Sequence, residues 1–129
     1  MNVPQDLEAE RVVITGLLID SSARDIILAQ LVPENFYLQR HALIFRAVRK
    51  LYLEGKPIDT IGVANVLKKE GRLDEIGGKS YLSECQEDLM AAMNSEHHID
   101  TVIEYSQRRE LIRLSGMAML MRIETVKSH

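Results

Sequence analysis

Any fold for this chain has first to accommodate residues 39–55, Gln-Arg-His-Ala-Leu-Ile-Phe-Arg-Ala-Val-Arg-Lys-Leu-Tyr-Leu-Glu-Gly. Ile44, Ala47, Val48 and Leu51 recur at three- and four-residue steps, and Leu43, Phe45 and Tyr52 widen the stripe, which is the spacing of an amphipathic helix laid against a core. The end is marked by Gly55, suited to a left-handed cap, and by Pro57, which cannot continue a helix. The other helical segments of the compact part are shorter, and helices of that length are marginal in water without packing. The stretch is therefore expected to be the central helix of a bundle.

On either side of it the same periodicity recurs. Residues 1–5 are expected to be extended, because Pro4 disfavours helix at the residue before it. Asp6 is placed to cap a helix whose first turn carries Glu8 and Glu10 and whose buried positions are Val12, Val13, Ile14, Leu17, Leu18 and Ile19. Ser21 or Ser22 is expected to cap a second helix with Ile26, Ile27, Leu28 and Leu31 inside, and the Pro33-Glu34-Asn35-Phe36-Tyr37 turn carries two aromatic anchors. After Pro57, Asp59 or Thr60 starts a helix with Val63, Val66 and Leu67 inward and Gly71 at its end. Leu73 and Ile76 are the buried points of a compact connection, and a helix over residues 79–90 sets Leu82, Cys85 and Leu89 on one side. No stretch alternates as a strand does, so the fold class is all-α: a compact bundle of about five or six helices over residues 1–93, then a long helix from residue 94 onward.

That last helix runs uninterrupted to about residue 124, roughly 45 Å, too long for a compact domain of this size. Ile99, Val102, Ile103, Leu111, Ile112, Leu114, Met117, Met119, Leu120, Met121 and Ile123 circle it, so it needs more than one neighbour. The missing neighbour is expected to be another helix or another subunit. The run Met117-Ala118-Met119-Leu120-Met121 favours an adaptable protein interface, since methionine serves both irregular cores and such surfaces. Gly116 marks a close approach, a bend or an end. Lys127-Ser128-His129 carries no closing signal, so the chain reads as cut after the long helix.

Composition removes several function classes. A hydrophobic fraction of 46% argues against disorder, and a formal net charge of −3 gives no global attraction to nucleic acid or to anionic membrane. Aromatics make up 5%, with no tryptophan, so platforms for base stacking are scarce. The single cysteine, Cys85, excludes an internal disulfide and a cysteine zinc site and suits a reducing cytoplasm. No apolar run approaches the ~20 residues that span a bilayer.

The chemistry-bearing motifs have bland counterparts that fit better. Gly77-Gly78-Lys79-Ser80 ends like a phosphate-binding loop, but position 73, where the first glycine belongs, is Leu73, and acids precede the glycines. A turn is expected there, with no nucleotide. His97, Asp100 and Glu104 share a helix face, yet no matching ligands stand on other helices, so a solvated polar helix start is expected and no metal. Cys85, between Leu82 and Leu89, reads as a small buried hydrophobe. Lys68-Lys69, Arg108-Arg109 and Arg113 are interspersed with glutamates and read as solvated faces with local ion pairs.

Leu7-Glu8-Ala9-Glu10, Pro33-Glu34-Asn35-Phe36-Tyr37, His41 with Ile44-Phe45, Gly55-x-Pro57-Ile58-Asp59, and Gly71-x-Leu73 leading to Ile76-Gly77-Gly78-x-x-Tyr81-Leu82 together resemble the amino-terminal domain of DnaB-type replicative DNA helicases. Order and spacing agree over most of residues 4–112. The resemblance implies a collar domain of a hexameric ring, followed by a linker and a RecA-like domain that binds ATP and Mg and unwinds DNA in the cytoplasm, at the nucleoid. It makes the long helix the first arm of a hairpin that pairs subunits into dimers and a trimer of dimers. It also implies docking of primase, and of a helicase loader, with no catalytic, cofactor or metal residue, no direct nucleic-acid contact and no membrane contact in this domain. The contact candidates are Arg108, Arg109, Leu111, Ile112, Ser115, Gly116, Met117, Ala118 and Met119. Thr101 and residues 103–107 depart from the family's basic-acidic-basic pattern in this arm, and the second hairpin helix, linker and ATPase domain have no counterpart here. Alternatives are the helicase-binding tail of a primase or a stand-alone helical adaptor, a helical metal hydrolase on His97, Asp100 and Glu104, and a small helical DNA binder.

Overall fold

The structure is a computed structural model that describes residues 3–127, with side chains through Glu124. Met1, Asn2, Ser128 and His129, on which part of the expected lead-in and the unclosed end fall, lie outside the described residues. Among the described residues the regular structure is helical throughout: α1 (Leu7–Ile19), α2 (Ser21–Gln30), α3 (Gln39–Leu53), α4 (Thr60–Lys69), α5 (Gly78–Glu87), α6 (Leu89–Met93) and α7 (Ile99–Lys127). Single 3-10 turns stand at Pro33–Asn35, Leu73–Ile76 and Ser95–His98. The all-α class and the bundle followed by one long helix are as the sequence reading has them, except that the long helix starts at Ile99, after the Ser95–His98 turn, and not at residue 94.

Local chemistry explains most boundaries. The carboxylates of Asp6 and Asp59 accept hydrogen bonds from Ala9 and Gly62 backbone N–H at 3.0 and 2.7 Å and cap α1 and α4. The cap of α2 is Asp20 rather than either serine, and it accepts from the N–H groups of Ser22 and Ala23. Gly55 (φ +67°) and Gly71 (φ +71°) close α3 and α4 in the same way: Lys56 N–H returns to Leu51 O and Arg72 N–H to Leu67 O, both at 2.9 Å. This six-to-one closure needs a left-handed residue, which glycine supplies without strain. The helix expected over residues 79–90 is broken. Asp88 ends α5 and caps α6 through Ala91 N–H at 3.1 Å, and the change of direction turns Leu89 out to 63% exposure.

The core is centred on two helices rather than one. Ile44, Phe45 and Val48 of α3 are fully buried, as expected, while Tyr52 falls outside the buried stripe. In α1, however, Val13, Ile14, Thr15, Gly16, Leu17 and Leu18 are buried in succession, which means neighbours on every side. Those neighbours are α2, α3, α5, α6, α7 and the Ser95–His98 turn. Gly16 makes one of these contacts possible: a Cβ there would lie 2.3 Å from Ser95 Cβ.

Polar groups inside the bundle are tied to one another. Glu10, a first-turn acid of α1, is only 2% exposed and reaches the start of α3. Its Oε2 accepts from Tyr37 N–H at 2.6 Å, and its Oε1 accepts from Leu38 N–H at 3.3 Å and lies 3.0 Å from His41 Nδ1. The other ring nitrogen of His41, Nε2, is 2.6 Å from the Tyr81 hydroxyl of α5. Glu10 thus supplies, from another helix, the N-terminal cap that Leu38 cannot give α3, and places a carboxylate at the positive end of its dipole. Burial, with Cys85 beside it, pushes the Tyr81 phenol up to about 12, so this hydroxyl keeps its proton.

A candidate protein-docking arm

The first turns of α7 belong to the bundle. Ile99 and Val102 are buried in its core, and Ile103 packs against it. Ser106 Oγ accepts a hydrogen bond from Asn35 Nδ2 at 3.1 Å. Arg109 then spans three segments: its Nη1 donates to Pro4 O at 2.9 Å, its Nη2 donates to Asn35 O at 2.8 Å, and its guanidinium lies 5.5 Å from the centre of the Tyr37 ring. Tyr37 is itself half exposed, so of the two expected aromatic anchors only Phe36 enters the core, 5.5 Å from Phe45.

Beyond Arg109 the helix leaves the body. Residues 110–124 are exposed, including Leu111, Leu114, Met117, Met119, Leu120, Met121 and Ile123 at 47 to 65%. The projecting part is about 22 Å long at 1.5 Å per residue. Helical spacing sorts it into rows. Ile112, Gly116, Met119 and Ile123 fall at steps of four, three and four and form one apolar ridge with a notch at the glycine. Leu111, Ser115 and Ala118 form a second, smaller-residue row, and Leu114, Met117 and Met121 a third. A Cβ on Gly116 would meet nothing within 4 Å, and the helix neither ends nor is approached there within this chain.

The contact candidates fall into two groups. Leu111, Ile112, Ser115, Gly116, Met117, Ala118 and Met119 are all on the exposed arm. Arg108 pairs with Glu104 at 2.6 Å and covers the Tyr105 ring at 4.9 Å, whereas Arg109 is occupied by the chain's own carbonyls. On the arm, Arg113 holds Glu110 at 2.6 Å, which lowers the carboxyl's pKa and raises the guanidinium's. An arm that is apolar around most of its circumference and carries such pairs has no reacting constellation. What it offers is burial: apolar area removed from water gives roughly 25 cal/mol per Å².

The other motifs are dispersed. His97 sits in the Ser95–His98 turn, before α7 starts, so it does not continue the helical row of Asp100 and Glu104. Among the described residues no group of three or more His, Cys, Asp or Glu is placed to hold a metal ion. Gly77 and Gly78 both have positive φ, and a 3-10 turn, not a strand, leads into them. Cys85 is fully buried. No helix among the described residues is long and apolar enough to cross a membrane. The buried Glu10 and His41 and the half-buried Tyr81 were not legible as a group, because their partners lie 31 and 40 residues apart in the chain.

Comparison with known proteins gives one consistent result. A family model described as "DnaB-like helicase N terminal domain" matches residues 2–104. A replicative DNA helicase DnaB from Geobacillus stearothermophilus is 38% identical over 110 residues, 85% of this chain and 24% of that protein. The crystal structure of the N-terminal domain of DnaB helicase from Mycobacterium tuberculosis superposes with a TM-score of 0.92 at 30% identity, covering 98% of this chain and 90% of that one. A DnaB-like replicative helicase whose structure was described together with its interactions with primase matches at a TM-score of 0.76 and 25% identity, covering 96% of this chain and 28% of that one. The chain spans a quarter or less of the length of the curated relatives it matches.

Proposed function

The chain belongs to the DnaB-like helicase N-terminal domain family, and from that premise we propose that it is the collar and partner-docking domain of a hexameric replicative DNA helicase. In this reading the arm of one subunit packs against that of another, the resulting dimers build the collar, and primase, with a helicase loader as a further partner, docks on the same projecting surface. The protein works in the cytoplasm, at the replication fork. Unwinding and the binding of ATP and Mg belong to a RecA-like domain outside this chain. The Gly77-Gly78-Lys79-Ser80 turn does not fit a phosphate-binding loop: Leu73 stands where the loop needs glycine, and a 3-10 turn, not a strand, precedes Gly77. This domain contributes geometry and contacts, and turns over no ATP by itself. Membership in the DnaB-like family favours this reading over the primase-tail alternative.

One observation carries the reading: a helix anchored in the core at Ile99 and Val102 continues as an exposed, largely apolar rod over residues 110–124. A soluble monomer rarely presents such a surface unless a partner covers it. The test is binding of the helicase-binding domain of the cognate primase, fluorescently labelled, measured by anisotropy. Ile112→Glu is expected to weaken binding by at least tenfold, about 1.4 kcal/mol, while far-UV circular dichroism and the thermal midpoint stay unchanged because the site is exposed. Equal binding by both proteins would refute docking on this ridge. Light scattering should show a monomer or a concentration-dependent dimer, since each arm has only one helix here; a hexamer stable at low micromolar concentration would contradict the assembly scheme.

A further inference from the structure

We infer that Arg109 is a positioning residue that fixes the direction in which the arm leaves the bundle, rather than a contact for the partner. This rests on the geometry of the arm's root and not on which partner the arm meets.

The guanidinium binds two backbone carbonyls that are far apart in sequence, Pro4 O in the lead-in to α1 and Asn35 O in the turn before α3, at 2.9 and 2.8 Å. It also covers the Tyr37 ring. A planar fork with several donors holds two carbonyls and a ring face in one fixed geometry, which an ammonium with rotatable donors on a flexible stem does not impose. The Asn35 carbonyl sits on a turn that is itself held. Asn35 Oδ1 accepts from Val32 N–H at 2.7 Å, Asn35 Nδ2 donates to Ser106 Oγ, and Glu10 grips the next backbone groups, Tyr37 N–H and Leu38 N–H, from behind. The clamp therefore stands on a rigid base that reaches the buried His41. It is also the outermost part of the arm's root, since every residue from 110 to 124 is exposed. A helix that continues past the bundle takes its direction from the contacts of its root, and those of Arg109, lying beyond Ile99, Val102, Ile103 and Ser106, have the longest lever arm over where the ridge of Ile112, Gly116, Met119 and Ile123 points. Arg108, one residue earlier, has partners only within α7 and makes a matched control.

The experiment is single-molecule energy transfer between dyes at Lys68→Cys, exposed on α4, and Arg122→Cys on the arm, in a Cys85→Ala background and at dilutions where one copy is observed. The parent protein is expected to give one narrow transfer peak. Arg109→Ala and Arg109→Lys should each lose that peak in favour of a broad distribution, with far-UV circular dichroism retained, and Arg108→Ala should keep it. Arg109→Lys keeps the charge and the long stem, so it stays informative if the alanine variant fails to fold. A narrow, unshifted peak in Arg109→Lys, or equal broadening in Arg108→Ala, overturns the assignment.

Discussion

Gly16→Ala sets a general helix rule against a particular contact. In an exposed helix interior the change stabilises by up to about 1 kcal/mol, because alanine has the higher propensity. Here the added methyl would lie 2.1 Å from Ser95 Oγ and 2.3 Å from Ser95 Cβ, where carbon atoms in contact prefer about 3.5 to 4.0 Å. Rotating the hydroxyl removes the first clash at the expense of its 2.9 Å bond to Ala92 O, but nothing short of moving backbone removes the second. Ser95 is fully buried and sits at the start of the turn that leads into α7, so α1 and the arm's root must separate by more than 1 Å. Overpacking by one carbon costs about 1 to 3 kcal/mol, and a clash between two backbone-anchored atoms belongs at the upper end. Subtracting the propensity gain leaves a net loss of about 2 kcal/mol. Urea denaturation followed by far-UV circular dichroism reads this directly, as a lower midpoint with an unchanged slope. Combining the change with Ser95→Gly, which deletes the obstructing Cβ, should recover much of the loss as a coupling energy. A stabilised or neutral Gly16→Ala protein, or strict additivity with Ser95→Gly, would refute the reasoning.

Two further outcomes are expected in the bundle. Glu10→Gln replaces an acceptor of three hydrogen bonds by a group with one acceptor oxygen and two donors facing donors, and should cost about 2 to 4 kcal/mol, since bonds to a charged group are each worth about 1.5 to 3; Glu8→Gln, on the exposed side of the same turn, is the control, and equal midpoints for the two variants would show that the cap is not used. For Tyr81 the phenol titrates at about 12 in the folded protein against 10.0 ordinarily, so the folded state holds a proton that the unfolded chain has lost. Stability from this group is complete below pH 10 and falls as pH rises from 10 to 12, and Tyr81→Phe should flatten that part of a pH series of denaturation curves; parallel curves would contradict the assigned environment.

What could be read from the sequence was what depends on near neighbours. The caps at Asp6, Asp59, Gly55 and Gly71 involve residues within five positions of one another, and the core stripe of α3 is a local periodicity. Gly16 and Glu10 were opaque for the opposite reason, since each is explained by a residue brought close only when the bundle closes: Ser95 for one, Leu38 and His41 for the other. Asp88 had a local signal, an aspartate before Leu-Met-Ala-Ala, but the apolar spacing of Leu82, Cys85 and Leu89 obscured it. The projecting arm was legible as a helix with too many apolar faces. Arg109 was not separable from Arg108 by sequence, because adjacent residues on a helix point about 100° apart and only the packed bundle decides which one faces home.

The continuity of α7 across the bundle boundary has an energetic meaning. Starting a helix in water is unfavourable, with a nucleation constant of about 10⁻³, whereas extending one adds a bond for each residue fixed. The turns from Ile99 to Arg109 are held by tertiary contacts, so the bundle supplies the nucleus and the outer arm requires propagation alone. A partner meeting Ile112 and Met119 therefore encounters a rod already formed and does not have to order it. The nucleation share of the ordering entropy that weakens the binding of a flexible segment is met in folding the bundle.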